Sequence, residues 1–253
     1  MKKLCVGAIV VGLAVLVLAS SAIAMDMKGK FGFDVQIGYA MMDIKGVNEG
    51  LDFHDENGEL LGWTTESKDY LKGGMTYVGE AKYGITSSLL LTASGGLLSS
   101  KGKVTSTGPT DFTFDDKVSA TFFGGGALFV LPLGGENLNL LLGGGADYYR
   151  VKYEDDFTEN GTERARRAEG SKVGFHLRGG MEYFLTPNIA ISGKIIYRIV
   201  KLSEIETTKD DWGISAEGDP LEVYTEPIWS GLKKLEIDLG GINAYVNICL
   251  YFG

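Results

Sequence analysis

Residues 173–200 read VGFHLRGGMEYFLTPNIAISGKIIYRIV. Around the LTPN turn, large apolar residues take alternate places: Val173, Phe175, Leu177, Met181 and Tyr183 before it, Ile189, Ile191, Ile195, Tyr197 and Ile199 after it. His176, Arg178, Glu182, Lys194 and Arg198 fill the places between. A period of two on both arms predicts two antiparallel strands joined by a tight turn. Each strand then has one greasy face and one polar face, and the fold depends on which of them meets water.

The same alternation recurs along the chain. Phe31, Phe33, Val35, Ile37 and Tyr39 oppose Gly32, Asp34, Gln36, Gly38 and Ala40 in a strand over Lys30 to Met41. Met75, Tyr77, Ala81 and Tyr83 oppose Thr76, Glu80 and Lys82 in a second, about Gly74 to Tyr83. A third runs from Ser88 to about Lys103, a fourth from about Lys117 to Leu131, and a fifth from Leu138 to Tyr153, where Leu142 and Tyr148 oppose Asn139 and Asp147. The stretch quoted first supplies the sixth and seventh. The eighth, about Leu235 to Phe252, sets Ile242, Val246, Ile248 and Leu250 against Asn243, Tyr245, Asn247 and Tyr251. In the fourth, FFGGGALFVL is apolar on both faces, and its glycines leave room for a bulge that switches phase. Short connections near Gly84 to Ser87, Pro132 to Asn137 and Leu185 to Asn188 alternate with long ones at Asp43 to Lys72, Val104 to Asp116, Glu154 to Gly170 and Lys201 to Lys234. Within the first long connection, residues Leu51 to Thr65 suit a small hairpin around Asn57-Gly58, which would raise the strand count to ten.

Composition sets the outer limits. Residues 1–24 read as a secretory signal, with Lys2 and Lys3, an apolar run from Val6 to Leu18 and the small-residue site Ala22-Ile23-Ala24. That run is shorter than the roughly 20 residues of a membrane-spanning helix. The remaining 25–253 is expected to form one β domain with 22 basic and 33 acidic residues, a net charge of −11. Nucleic acid is excluded as a partner, because its phosphates need Lys and Arg to neutralise them. Cys5 lies in the signal and only Cys249 remains, so no internal disulfide is available. Period-two runs with 37 glycines and many aromatics argue for an all-β chain. No Walker loop, dinucleotide fingerprint or zinc spacing is present, and no cofactor or metal is expected.

Three features turn the apolar face toward lipid. The polar face is rich in small residues, which suit the narrow interior of an eight-strand barrel. If the short turns are periplasmic, Phe31, Tyr83, Tyr183 and Phe252 lie low while Tyr39, Tyr77, Tyr148 and Tyr197 lie high, as two interfacial girdles. An even strand number, short turns at one end and long loops at the other complete the pattern of an antiparallel up-and-down transmembrane β-barrel.

The turn MEYFLTPNIAI and the ending AYVNICLYFG resemble the small outer-membrane β-barrel superfamily that includes the OmpA transmembrane domain, OmpX and opacity-type porin-family proteins. The resemblance implies a bacterial outer-membrane location with both termini periplasmic. It also implies insertion by the barrel machinery through the C-terminal strand, in surroundings of outer-membrane lipid and lipopolysaccharide. Three features depart from the family pattern: Gly253 after the usual terminal aromatic, Cys249 within the insertion signal, and no peptidoglycan-binding domain following.

The inward list is Asp34, Glu80, Asp147 and Glu182 against Lys82, Arg178, Lys194 and Arg198, with His176 beside them. Charges removed from bulk water must pair, so a lumenal ion-pair network that plugs the barrel is expected. The sharper alternative is a gate, in which Glu182 or Glu80 exchanges partners among Arg178, Lys82 and Arg198. Catalysis is not expected. His176 lacks the serine two places on that marks lipid A deacylases, and His54, among Asp52, Asp55 and Glu56, reads as a solvated loop residue against the extracellular histidine of palmitoyltransferase barrels. The first and last loops each carry eight acids and between them Trp63, Trp212 and Trp229, which suits a recognition surface for an unnamed ligand. Glu163-Arg164-Ala165-Arg166-Arg167 is the one basic cluster and a candidate contact for lipid phosphates. The expected function is a non-enzymatic integral membrane protein serving membrane integrity or surface interaction. The alternatives are a narrow conduit for ions or small hydrophobic solutes and, third, a lipid A-modifying barrel.

Overall fold

The computed structural model describes residues 26–42, 44, 47–49, 51–52, 62, 64–108, 111–133, 137–203, 205–224 and 232–253. The signal segment, the Asn57-Gly58 hairpin, His54, Trp63 and Trp229 fall outside the described residues. The strands are β1 (Phe31–Met41), β2 (Thr64–Asp69), β3 (Gly73–Thr86), β4 (Leu89–Thr107), β5 (Phe112–Pro132), β6 (Leu138–Glu159) and β7 (Thr162–Thr186). They continue with β8 (Ile189–Ile199), β9 (Lys201–Leu202), β10 (Glu206–Asp210), β11 (Glu222–Tyr224), β12 (Leu232–Lys234), β13 (Ile237–Asp238) and β14 (Gly241–Phe252).

Eight of them close a ring in the order β1, β3, β4, β5, β6, β7, β8, β14 and back to β1, every neighbour antiparallel. Closure leaves no sheet edge inside the ring, so backbone N–H and C=O groups are satisfied without water. Two of the short turns share one chemistry: Thr86 and Thr186 each end a strand, and each hydroxyl accepts a backbone N–H from two residues on. Between them runs a register shift in both hairpins, at Gly84/Thr86 and at Phe184/Thr186.

The apolar face is outside. Val35 is 64% exposed and Val246 68%, while their inward neighbours Asp34 and Asn247 are buried. Water would not tolerate that exterior over a whole cylinder, since soluble monomers expose apolar patches of only a few hundred Å². Hydrocarbon surrounds the ring.

The bulge that the glycines of β5 suggest is absent. Registers run unbroken from Leu89↔Phe129 to Ser106↔Phe112 on one side and from Phe112↔Glu159 to Pro132↔Asn139 on the other. Gly124 and Gly126 of β5 and Gly143 and Gly145 of β6 face inward, with Gly126 directly opposite Gly145, and a Cβ at any of the four would collide with the partner backbone. They mark a corner where the sheet bends too sharply for side chains.

Strands β4 to β7 hold 19, 21, 22 and 25 residues, against 11 or 12 for β1, β8 and β14. A tilted strand crosses a bilayer in roughly 9–11 residues, so about half of each long strand stands beyond it. Two of the segments read from sequence as long loops, Val104 to Asp116 and Glu154 to Gly170, are therefore mostly strand. The second closes in a tight Asn160-Gly161 turn in which both residues have positive φ. In this projecting wall the alternation reverses. On β6 the outward apolar residues end at Tyr148, and then Tyr149, Val151, Tyr153 and Phe157 point inward while Arg150, Lys152, Glu154 and Asp156 point out. The wall is built like an ordinary water-soluble sheet, and reading one polarity throughout ended the strands too early.

β2 flanks the wall by pairing with β4, and β10 flanks it by pairing with β7, so neither enlarges the membrane ring. The eighth ring strand starts at Gly241 rather than Leu235, because Gly241 turns the chain through φ 134 and Ile237–Asp238 pairs separately with β9. Residues 44, 47 and 51 fold inward with Leu71, Phe112, Phe114, Leu202, Leu221, Leu235, Ile237 and Leu239 as one apolar cluster across the long-loop end. A second cluster fills the short-turn end, where Met27 packs with Leu90, Leu128, Val130, Leu141, Phe184 and Tyr251.

Candidate functional site

Between the two apolar clusters lies a layer of buried charge. Alternation on five ring strands aims its members at the axis: Asp34 from β1, Glu80 and Lys82 from β3, Asp147 from β6, His176, Arg178 and Glu182 from β7, and Lys194 and Arg198 from β8. Each is no more than 6% exposed. Lys82 Nζ stands 3.0 Å from both Asp34 and Glu182. Lys194 Nζ stands 2.6 Å from Asp34 and 3.0 Å from Glu80. Arg178 pairs with Glu80 and also donates to the Thr92 hydroxyl. Three acids and three bases thus form one chain of pairs running across the lumen.

Asp147 and Arg198 stand apart from that chain. The Asp147 carboxylate takes His176 Nδ1 at 2.7 Å and the Tyr149 hydroxyl at 3.2 Å. Among the described residues the Arg198 guanidinium has no protein hydrogen-bond partner, nor have His176 Nε2 and Asp147 Oδ1. These groups line a space of about 20 Å³, room for about one water. Glu182 and Glu80 hold different bases, and neither is paired with Arg198.

The sequence reading missed the neutral partners of this layer. The Tyr251 hydroxyl is 2.9 Å from Glu182, Lys82 Nζ is 3.3 Å from the same hydroxyl, and Asn247 donates to Asp34 at 2.9 Å. All lie on the polar face of the alternation, which was the available signal. Asp34, Glu182 and Cys249 are spaced like metal ligands, but the Lys82 ammonium occupies the middle of the set, 3.6 Å from the Cys249 sulfur.

The girdle candidates face outward. Phe31, Tyr39, Tyr77, Tyr83, Tyr148, Tyr183, Tyr197 and Phe252 are all exposed on the ring exterior. Phe31 pairs in register with Phe252 on one side and Tyr83 on the other, putting three of the lower set on one rung.

The sequence profile of the outer membrane protein β-barrel domain family matches residues 11–217. The chain belongs to that family. Among solved structures, the outer membrane protein OprG of Pseudomonas aeruginosa is similar at 10% identity and a TM-score of 0.51, over 89% of this chain and 97% of that one. The N-terminal β-barrel domain of OprF from the same organism matches at 10% identity and a TM-score of 0.42, over 89% and 98% of the two chains. Ail, the attachment invasion locus protein of Yersinia pestis, matches at 13% identity and a TM-score of 0.37, over 89% and 100%. No curated protein matches the sequence. At these identities the likeness is one of fold, and family membership sets the location in the outer membrane.

Beyond the membrane, the wall encloses a second polar cluster that sequence reasoning did not find. Arg166 is buried and donates through Nε to Asp155 at 2.8 Å, and the Tyr153 hydroxyl donates to Asp116 at 2.6 Å. Arg166 thereby leaves the basic run read as a lipid contact, because its place in the alternation turns it inward. Arg167 is drawn to Asp156, and Arg164 lies over the Trp212 ring. Trp212 is partly buried against Phe157, ring centroids 5.1 Å apart, so it belongs to the core and not to an exposed recognition surface. Asp210 accepts the backbone N–H groups of Trp212, Ile214 and Ser215, which makes one acid of the last loop a turn former.

Removing one member of a buried ion pair leaves the other uncompensated, at a cost of about 3–5 kcal/mol. Lys82→Met is therefore expected to lower unfolding stability in lipid vesicles by that amount, and adding Glu182→Gln is expected to restore at least half of it. Equal losses in the single and double variants would contradict the pairing. In the wall, burial and then the neighbouring Asp155 hold the Asp116 carboxyl well above the usual carboxylate range. A carboxyl whose folded pKa is raised contributes stability that is lost as pH rises through that value. Protection of residues 112–118, taken as exchange relative to the base-catalysed rate of free amides, is thus expected to fall on alkalinisation in wild type and to lose that dependence in Asp116→Asn.

Proposed function

We propose that this protein is a closed, non-conducting, non-enzymatic barrel that serves outer-membrane integrity and presents its long-loop end for surface interaction. One observation carries the reading: a buried layer of charge, paired except at Arg198, lies between two apolar clusters and lines a space of about 20 Å³. In this reading the ion-pair network of Asp34, Glu80, Lys82, Asp147, His176, Arg178, Glu182, Lys194 and Arg198 is a plug. The aromatics from Phe31 to Phe252 serve as the two girdles. The signal is cleaved after Ala24, both termini lie in the periplasm, and the C-terminal strand addresses the insertion machinery. The long strands then lift the loops roughly 30 Å out of the membrane, where a partner is reached beyond the lipid headgroups.

A conduit would need an enlarged lumen or a side opening, for which the Gly124–Gly126 run of β5 is the natural candidate. Through those glycines β5 stays in register with β4 and β6 without a break, which leaves no side opening there. Reconstituted wild-type protein and Glu182→Gln are both expected to be electrically silent in planar bilayers. Discrete conductance steps from wild type would overturn the plug, and steps from Glu182→Gln alone would favour the gate.

A further inference from the structure

A groove of about 880 Å³ opens on the outer face of the barrel at the upper aromatic ring. Phe123 and Tyr148 form its floor, with ring centroids 5.3 Å apart. Arg150, Lys152 and Glu169 form its side, Gly170 and Ser171 of β7 border it, and Ile205 and a second acid, Glu206, also line it.

Two independent features make this groove unlike the rest of the surface. The first is charge order. The mature chain is strongly acidic, yet on β4, β5 and β6 the first charged outward residue past the membrane is a base: Lys101, Lys117 and Arg150. Outward acids on β5 and β6 come only farther out, at Asp115, Glu154 and Asp156. Arg150 is two residues past Tyr148, roughly 5 Å higher for a tilted strand, which is headgroup height.

The second is a break in the wall. β7 leaves β8 at Phe175↔Ile199 and meets β10 only at Glu169↔Glu206. Among the described residues, 170–174 have strand pairing on their β6 side alone, which leaves an open edge beside the groove.

The site already holds an anion of its own. Arg150 donates to one Glu169 oxygen through Nη2 at 2.7 Å and Nε at 3.2 Å, and Lys152 stands 2.9 Å from the other oxygen. The carboxylate sits where the oxygens of a tetrahedral anion would go. Both cations are more than half exposed and free to turn.

We propose that this groove binds the phosphorylated headgroup of lipid A in the outer leaflet. Arg150 and Lys152 grip the phosphate, Glu169 acts as an internal competitor that the phosphate displaces, and an acyl chain lies along Phe123 and Tyr148. The inference deepens the reading given above, because it rests on the long-loop end facing the outer leaflet.

The test uses the mature protein folded in detergent micelles, with bound lipid read by native mass spectrometry. Bis-phosphorylated lipid A is expected to bind at least tenfold more tightly than chemically dephosphorylated lipid A. Arg150→Gln with Lys152→Gln is expected to remove that preference, and Glu169→Gln to tighten binding several-fold. A gain on neutralising an acid cannot come from misfolding, so this variant keeps the test readable. Equal binding of the two lipids, indifference to the double substitution, or weaker binding by Glu169→Gln would overturn the proposal. Displacement by equimolar inorganic phosphate would make it a bare anion site and overturn the lipid assignment. Failure here with silent bilayers leaves the plugged barrel standing, whereas conductance with intact lipid A binding removes the plug alone.

Discussion

Hydrocarbon offers no hydrogen bonds, and that constraint shapes everything within the membrane. It requires a closed ring, because an open edge would strand backbone groups. It sends Asp34, Glu80, Lys82, Glu182 and Lys194 to the axis, and once there they must find one another, since a lone buried charge costs several kcal/mol. The resulting chain of pairs ties β1, β3, β7 and β8 together across the lumen at separations of 2.6–3.0 Å. Four inward glycines let β5 and β6 bend tightly enough to close a ring this small.

Where hydrocarbon ends, the requirement reverses. Past Tyr148 the outward positions become Arg150, Lys152, Glu154 and Asp156, while the inward ones become Tyr149, Val151 and Tyr153. The wall can then fold as a soluble sheet around its own apolar core, in which Ile44, Val47 and Leu51 of the first loop and Leu221 and Leu235 of the last are packed. That core closes the long-loop end as Met27 and its neighbours close the other. Among the described residues an apolar cluster lies at each end with charge between them, the arrangement on which the proposed plugged barrel rests. On the proposed reading, Arg150 and Lys152 at headgroup height face lipid, and Glu154 and Asp156 farther out face water.

Much of this was legible in the chain. Eight runs of period two, the three short turns, the two long connections Asp43–Lys72 and Lys201–Lys234 and the inward identity of all nine charged residues came from spacing alone. What spacing could not give was pairing. Which base meets which acid depends on ring closure, which brings Lys82 to Glu182 across a hundred residues of sequence. The wall was missed for a different reason: apolar residues switch from even to odd positions on β6 at Tyr148–Tyr149, so the pattern seemed to stop where it had only changed phase. Arg166 and Trp212 were misread for the same cause, their neighbourhood being taken as loop when it was strand and core.

That phase change locates the membrane boundary, and it is open to direct measurement. Spin labels placed singly at Leu142, Ala146, Arg150 and Lys152, in a Cys249→Ser background in lipid vesicles, report contact with dissolved oxygen or with a polar nickel complex. The account predicts oxygen contact at 142 and 146 and nickel contact at 150 and 152, with the crossover at Tyr148. Nickel contact at all four positions would place water along the whole exterior of β6 and contradict the fold's relation to its surroundings.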